Sequence, residues 1–451
     1  MSVVMSQQFN SKIAAIISIL LLALALLGLA RTLLAEEVPT LIINPSAIQR
    51  IPIAVPDFKY VSREQTQLAR EMSDLLSNDL NISGVFRPLD PMGFLEDPQA
   101  MGVDTAQIKF GDWKRLGAAF LARCSYEAQG NSIRLDGRLF DIAGRKMVGP
   151  PRTYAGELRA WRQMVHAFAD DIMLMVTGER GVFDTKIAYV QSVGGAKEIF
   201  YCDFDGNNPV QVTRDNSIAL SPSWSPDQTQ IAFVSYRDGA PKVYGINVSN
   251  NSRYLISGFP GMNIAPAWRP GRNELAVALS KDGVQDIYLV SPAGQMIKKC
   301  GVGFGSSISV SPSWSPDGQK FAYVSNESGC PQIYIFDVAT GQKKRLTFSG
   351  DYNVSPAWSP KGDRIAYSSR QEGDFNIFLI NPDGNGNHAL TFGGRNESPR
   401  WSPDGRMIVY SSSKQGETAI RITYSNGTGD WQLTRQSGAQ QLPDWSPRRN
   451  R

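Results

Sequence analysis

One short phrase, Pro-x-Trp-x-Pro, occurs six times, centred on Trp224, Trp268, Trp314, Trp358, Trp401 and Trp445. The intervals are 44, 46, 44, 43 and 44 residues, and six of the nine tryptophans fall in this register. A fixed period of this length is the mark of a propeller or a solenoid, in which each unit buries its apolar faces against its neighbours. Each unit carries the same punctuation. In "SPSWSPDGQKFAYVSNESGCPQIYIFDVATGQKKRLTF" (Ser311–Phe348), Pro316, Asp317 and Gly318 suit a type I turn. Three runs rich in aromatic and β-branched residues follow, separated by further turn signals. The unit is therefore a meander of four strands, here lettered a to d.

Strands b and c are apolar in runs ("IAFVS", "LAVALS", "FAYVS"; "QIYIFDV", "NIFLINP") rather than in alternation. That implies sheets covered on both faces, which radially packed blades provide. Proline cannot donate to a sheet ladder, so Pro222, Pro266, Pro312, Pro356, Pro399 and Pro443 place strand a at an edge, lining the central channel. The tryptophans then wedge between blades, each burying ~150–250 Å². The ends of the repeat identify a closed ring. The first unit (Lys186–Thr213) has b, c and d but no a, whereas "QLPDWSPRRNR" at the end supplies an a alone. Together they make one blade of six. The fold class expected is an all-β six-bladed β-propeller, residues 181–451, preceded by a small α/β domain, residues 36–180.

That preceding region lacks the repeat. Arg50–Phe58 reads as a strand, and Ser62 with Gln65 as a capping box. Leu68, Met72, Leu75, Leu76 and Leu80 then follow at helical spacing. Two paired strands flank "GNS", and a helix over Glu157–Thr177 presents Trp161, Val165, Phe168, Ile172 and Val176 on one face before Gly178 ends it. His166 falls beside that stripe and is expected at the surface. Further upstream, Lys12 and an apolar run from Ile13 to Ala30 read as an export signal, residues 1–35, cleaved after Ala35. An uncleaved anchor is the alternative, since eighteen apolar residues is near the minimum span. No second run is long enough to cross a membrane, so the mature chain is expected to have no membrane span.

The chemistry expected of this chain is sparse. It has two histidines, no G-x-S-x-G elbow and no zinc-type cysteine spacing. No dense basic cluster with interleaved aromatics supports nucleic-acid binding. Cys300 and Cys330 could pair in an exported protein, and "DGNGNH" (Asp383–His388) departs from a calcium loop and suits a turn. The channel-lining pieces carry only Glu397, Arg400 and Asp444 as charges, which frames the alternative function: a propeller hydrolase (peptidase or glycosidase) with an acidic site at the channel. The leading expectation is instead a non-enzymatic binding ring without metal or cofactor. The d–a loops lead into the channel mouth, and Asn263, Asn353, Asn396 and Gln440, with Met262, Ala265 and Val310, form the expected docking rim for a protein segment.

An export signal, a small α/β domain and six "P-x-W-S-P-D-G … IAYVS … IY" units ending on a last strand a resemble the TolB family, periplasmic members of the Tol–Pal system of Gram-negative bacteria. The resemblance covers essentially the whole chain, although "WRPGRNE" at Trp268, "WSPDQ" at Trp224 and "WSPKG" at Trp358 depart from the a–b turn pattern. It implies a monomeric periplasmic adaptor whose propeller mouth receives the peptidoglycan-associated lipoprotein Pal. It also implies that the mature N-terminal segment, Glu36, Glu37, Val38, Pro39, Thr40, Leu41, Ile42 and Ile43, takes part in binding TolA and regulates Pal binding. Outer-membrane integrity and constriction at cell division are the implied roles.

Overall fold

The last strand of the chain pairs with the first strand of the ring. Gln440–Trp445 lies antiparallel to Lys186–Val193, with Gln440 opposite Gln191 and Trp445 opposite Ile187. The computed structural model describes residues 50–61, 66–303, 305–371 and 373–449. The export signal, the segment Glu36–Ile43 and the capping box of Ser62 and Gln65 lie outside the described residues. The described residues of 50–175 and 179–449 form one compact unit.

Six four-stranded antiparallel sheets make the ring. The first takes its a strand from the end of the chain; the other five run a-b-c-d in sequence order, beginning at Ala219, Asn263, Ser309, Tyr352 and Arg395. The b strands are buried along most of their length, and Leu275–Leu279 with its partner Asp286–Val290 is buried throughout. The repeated tryptophans fill the wedges between blades. Trp224, Trp314, Trp401 and Trp445 are buried, and Trp268 and Trp358 are half-buried. Trp314 Nε1 donates to Ala267 O at 3.2 Å and Trp401 Nε1 to Ala357 O at 2.9 Å, each bond reaching the preceding blade. At two blades the residue between Pro and Trp adds a second stitch: Ser313 Oγ accepts the Trp358 N–H at 2.9 Å, and Asp444 Oδ2 accepts the Trp224 N–H at 2.8 Å.

The inner prolines sit at an irregularity, not on a plain edge. In the five blades continuous in sequence, and again where the chain's end closes the ring, the a–b register shifts across the proline. The residue before each one (Ser221, Ala265, Ser311, Ser355, Ser398 and Leu442) has φ between +52° and +57°. A residue before proline is ordinarily driven to extended conformations, and positive φ strains any side chain. The bulge turns the strand at the channel wall six times over. Ala265→Val would place a β-branched residue in this conformation and is expected to cost about 1–3 kcal/mol, measured as a lower urea midpoint at unchanged slope.

Upstream of the ring lies a seven-stranded sheet: β1 (Ile51–Ala54), β2 (Lys59–Tyr60), β3 (Phe86–Pro88), β4 (Phe120–Gln129), β5 (Ser132–Asp141), β6 (Lys146–Met147) and β7 (Arg152–Glu157). Its order is β3-β1-β4-β5-β6, with β2 on β4 and β7 on β5. β1 runs parallel to β3 and β4, and β4 and β5 form the hairpin expected around "GNS". Helix α1 (Thr66–Ile82) buries Met72, Leu75, Leu76 and Leu80. A short helix α2 (Phe110–Arg115) adds Trp113 to the core. Helix α3 spans Trp161–Thr177. It starts later than its apolar spacing indicates, because Glu157 ends β7 and residues 158–160 form a 3₁₀ turn. Gly178, at φ +74°, follows its last residue as the spacing indicates.

One expectation fails here, and one pairing the sequence left open does not form. His166 is not at the surface: it is 2% exposed, on the side of α3 that meets the propeller. Cys300 and Cys330 are unbonded, as are Cys124 and Cys202. Cys300 belongs to an apolar cluster, where burial pushes its thiol up to about 12, and the Cys330 sulfur faces Gln332 Nε2 at 3.3 Å. The α/β region meets the ring at the first and last blades. Tyr424 Oη donates to Ile82 O at 2.9 Å, Arg406 pairs with Glu179 at 2.8 Å, and Arg448 Nη2 donates to Arg180 O at 2.5 Å.

Candidate functional site: the two mouths of the channel

An antiparallel meander puts its a–b and c–d turns at one end of the ring and its b–c turns and d–a loops at the other. At the d–a end the amides expected on the rim are inside it. Asn263, Asn353, Asn396 and Gln440 are each at most 1% exposed. Asn263 Oδ1 accepts from Ser257 Oγ at 2.7 Å and Phe259 N at 3.0 Å, and its Nδ2 donates to Phe259 O at 2.7 Å. Asn353 Nδ2 donates to Gln332 Oε1 and to Ser349 O, both at 2.8 Å. Asn396 Nδ2 donates to Asn376 Oδ1 at 3.0 Å, and Gln440 Nε2 to Gln436 O at 2.7 Å. Where the sheet ladder stops, the loop's own polar groups need partners, and a short amide supplies both a donor and an acceptor. These four side chains, expected at the rim, are buried and clamp the d–a loops from within.

In four successive blades the residue before the first buried residue of strand a faces outward: Ile218, Met262, Ile308 and Tyr352 are 37–46% exposed, and of these Met262 and Tyr352 directly precede a clamp. Phe348 and Phe392, just upstream in their loops, are 73% and 74% exposed. Ala265 and Val310 are half-buried in the channel wall. Of the expected rim, Met262 is the one large apolar side chain in the open; Ile218, Ile308, Phe348, Tyr352 and Phe392 went unrecognised. Superposing the units at the start of strand a finds Ile218, Ile308 and Tyr352, because each precedes a buried residue by one. Arginine planes cover two of the rings: Arg345 lies 4.7 Å from the Phe348 centroid and Arg370 5.1 Å from that of Tyr352. Solvent-facing aromatics flanked by arginine are the composition enriched at protein interfaces.

The a–b end is different. A 450 Å³ cavity is lined by all six repeat tryptophans and the prolines that follow them, together with Arg400 and Asp444. Arg400 Nε lies 3.3 Å from Asp444 Oδ1. Burial pushes Asp444 up to about 6, against the pull of Arg400 and the Trp224 N–H. Glu397 is held separately by Arg395, with Nη2 to Oε1 at 3.1 Å. The two channel carboxylates therefore each have their own arginine.

Among the described residues, His166, Asp203 and Asp205 bring possible metal-ligand atoms within 4.8 Å of one another. The set does not fit a dication. Lys186 Nζ lies 2.9 Å from Asp203 Oδ1, and Arg162 is bonded to Asp205, so both carboxylates are already neutralised. Asp383–His388 forms the turn expected of it, with Asn385 N donating to Asp383 Oδ1 at 2.8 Å. No helix among the described residues is long and apolar enough to cross a membrane.

Residues 174–449 match the family model described as the TolB beta propeller domain, and residues 39–148 the TolB amino-terminal domain. The chain is 38% identical over 199 residues to the Tol-Pal system protein TolB of Syntrophotalea carbinolica, covering 42% of this chain and 46% of that one. Against the protein of the same name from Desulfosudis oleivorans it is 39% identical over 212 residues, covering 47% and 48%. The chain thus spans about half the length of the curated relatives it matches. The crystal structure of TolB from Acinetobacter baumannii superposes with a TM-score of 0.75 at 26% identity, covering 89% of this chain and 97% of that one.

Proposed function

This chain belongs to the TolB family of the Tol–Pal system, and on that premise we propose that it is a non-catalytic periplasmic adaptor. Its propeller takes the peptidoglycan-associated lipoprotein Pal at the d–a mouth, and its segment Glu36–Ile43 engages TolA. The working division is an export signal over 1–35, an adaptor domain over 36–180 and a docking ring over 181–451. Coupling these partners supports outer-membrane integrity and constriction at division.

One observation carries the docking part: the apolar rim of Ile218, Met262, Ile308, Phe348, Tyr352 and Phe392 at one mouth of a closed ring. Large apolar side chains left open at one mouth of the ring are costly unless a partner covers them. The non-catalytic part rests on Glu397 and Asp444, which are paired with Arg395 and Arg400 rather than with each other. Met262 stays in the proposed contact set, with Ala265 and Val310 behind it in the wall, while Asn263, Asn353, Asn396 and Gln440 shape the rim from inside.

The test is binding of Pal's soluble domain to the immobilised full chain. Phe348→Ala with Phe392→Ala is expected to weaken it by roughly 30-fold or more, the effect of losing about 2 kcal/mol at aromatic anchors. The melting temperature should be unchanged, because both rings are exposed. An unaltered Kd in the double variant would remove Pal from this mouth. Deleting residues 36–43 is expected to abolish TolA capture while leaving Pal binding measurable.

A further inference from the structure

We propose that protonated His166 is a latch between the α/β region and the first propeller blade, and that raising the pH through its titration loosens that joint. The ring sits on α3, buried, between carboxylates from both sides. Its Nδ1 lies 2.7 Å from Asp79 Oδ2 on α1. Its Nε2 makes no hydrogen bond and faces Asp205 Oδ2, in the c–d turn of the first blade, at 4.0 Å. Phe204 packs edge-to-face on the imidazole at a centroid distance of 5.4 Å.

The charges around the ring decide its state. Asp79 comes from α1, Arg162 from α3 one turn earlier, and Asp203, Asp205 and Lys186 from the first blade. Three carboxylates thus face two permanent cations, and an imidazolium brings the sum to zero. A neutral imidazole leaves one buried negative charge uncompensated, which is strongly unfavourable in a low-dielectric joint. It also turns a bare ring nitrogen toward a carboxylate whichever tautomer forms: Nδ1 toward Asp79 or Nε2 toward Asp205. Only the doubly protonated ring suits both neighbours, and one of them belongs to the propeller.

The titration directions agree with this geometry. Burial by itself would lower His166, but the charge and hydrogen bond of Asp79, with Asp205 and Asp203 behind them, outweigh it and hold the ring above its ordinary value. Burial pushes Asp79 up to about 6 against the pull of His166. For a raised histidine the stabilisation is present in full below the unfolded value, about 6.5, and is lost as pH rises through the folded one. Protonating Asp79 at lower pH leaves the attraction of His166 for Asp205 in place, so the joint loosens on the alkaline side.

The experiment uses the full chain carrying spin labels at Glu71 on α1 and Asn207 in the first-blade turn, both exposed. The ratio of long-distance to short-distance populations is expected to rise about tenfold between about pH 6 and pH 9. Asp205→Asn should flatten that dependence, and His166→Gln should abolish it. Because the chain holds only two histidines, ring-carbon NMR of the unmodified protein gives a reading that needs no variant: one of the two resonances should titrate above about 6.5. Asp205→Asn should bring that resonance down. A pH-invariant distance distribution, or a His166 resonance that titrates below its ordinary value, would overturn the latch even if His166→Gln failed to fold.

Discussion

Ending the chain at Ser437 is expected to abolish the cooperative unfolding of the ring. The segment removed supplies one whole strand, Gln440–Trp445, to the first sheet. Its loss exposes the edge of Lys186–Val193, a strand buried along most of its length. It also removes Trp445, 6% exposed, whose Nε1 donates to Thr185 Oγ1 at 2.8 Å within a cluster holding Ile187, Tyr189 and Val409. The reciprocal bonds between Lys186 and Ser446, at 2.9 Å and 2.8 Å, go with it, as does the stitch from Asp444 to Trp224. Burying the tryptophan alone is worth about 4–6 kcal/mol at ~25 cal/mol per Å². Adding the lost ladder and an edge left open in apolar surroundings brings the deficit to the order of a domain's whole net stability, about 5–15 kcal/mol. Calorimetry should show no single sharp transition, and limited proteolysis should cut within the blades. A truncated chain that melted within a few degrees of the full one would mean the ring is held by blade contacts alone. Trp445→Ala isolates the side chain and is expected to cost about 3–5 kcal/mol.

This closure was legible before any coordinates because its signals are redundant. Trp445 and Pro443 repeat a phrase already written five times, and a missing strand a at one end matches a spare one at the other. Residues facing two environments were not legible. His166 lies one step from the apolar stripe of α3, and a helical wheel cannot show that a propeller turn bearing Asp205 waits on that side. The left-handed residues such as Ala265 and Leu442 were equally hidden, since proline at the next position argues for extended backbone. The amides misled for a related reason. Asn353 in a loop suggests an exposed contact, yet it stands at the first residues of a strand, where unpaired loop carbonyls turn inward and must be met.

That difference gives Asn353→Ala a large expected effect, opposite in kind to that of Phe348→Ala. Asn353 is fully buried, and its Nδ2 serves two acceptors, Gln332 Oε1 and Ser349 O. Gln332 Oε1 keeps one other partner, the Thr347 hydroxyl at 2.7 Å, and Thr347 Oγ1 in turn accepts the Ile333 N–H at 2.9 Å. Alanine would take one of two donors from the buried Gln332 Oε1, remove the bond to the part-buried Ser349 O and leave a small void between loop and sheet. At about 0.5–1.5 kcal/mol for each of the two bonds and about 1 kcal/mol for the void, the loss should be roughly 2–4 kcal/mol. Asn353→Asp should cost more, because it removes the donor and adds a negative charge facing the same two oxygens. Urea unfolding measures the change as a lower midpoint, and partner affinity should fall only as far as the loop carrying Phe348 and Tyr352 loses its shape. Should Asn353→Ala instead keep its stability to within about 0.5 kcal/mol and still fail to bind, the amide would be a direct contact after all, and the apolar rim would no longer explain docking.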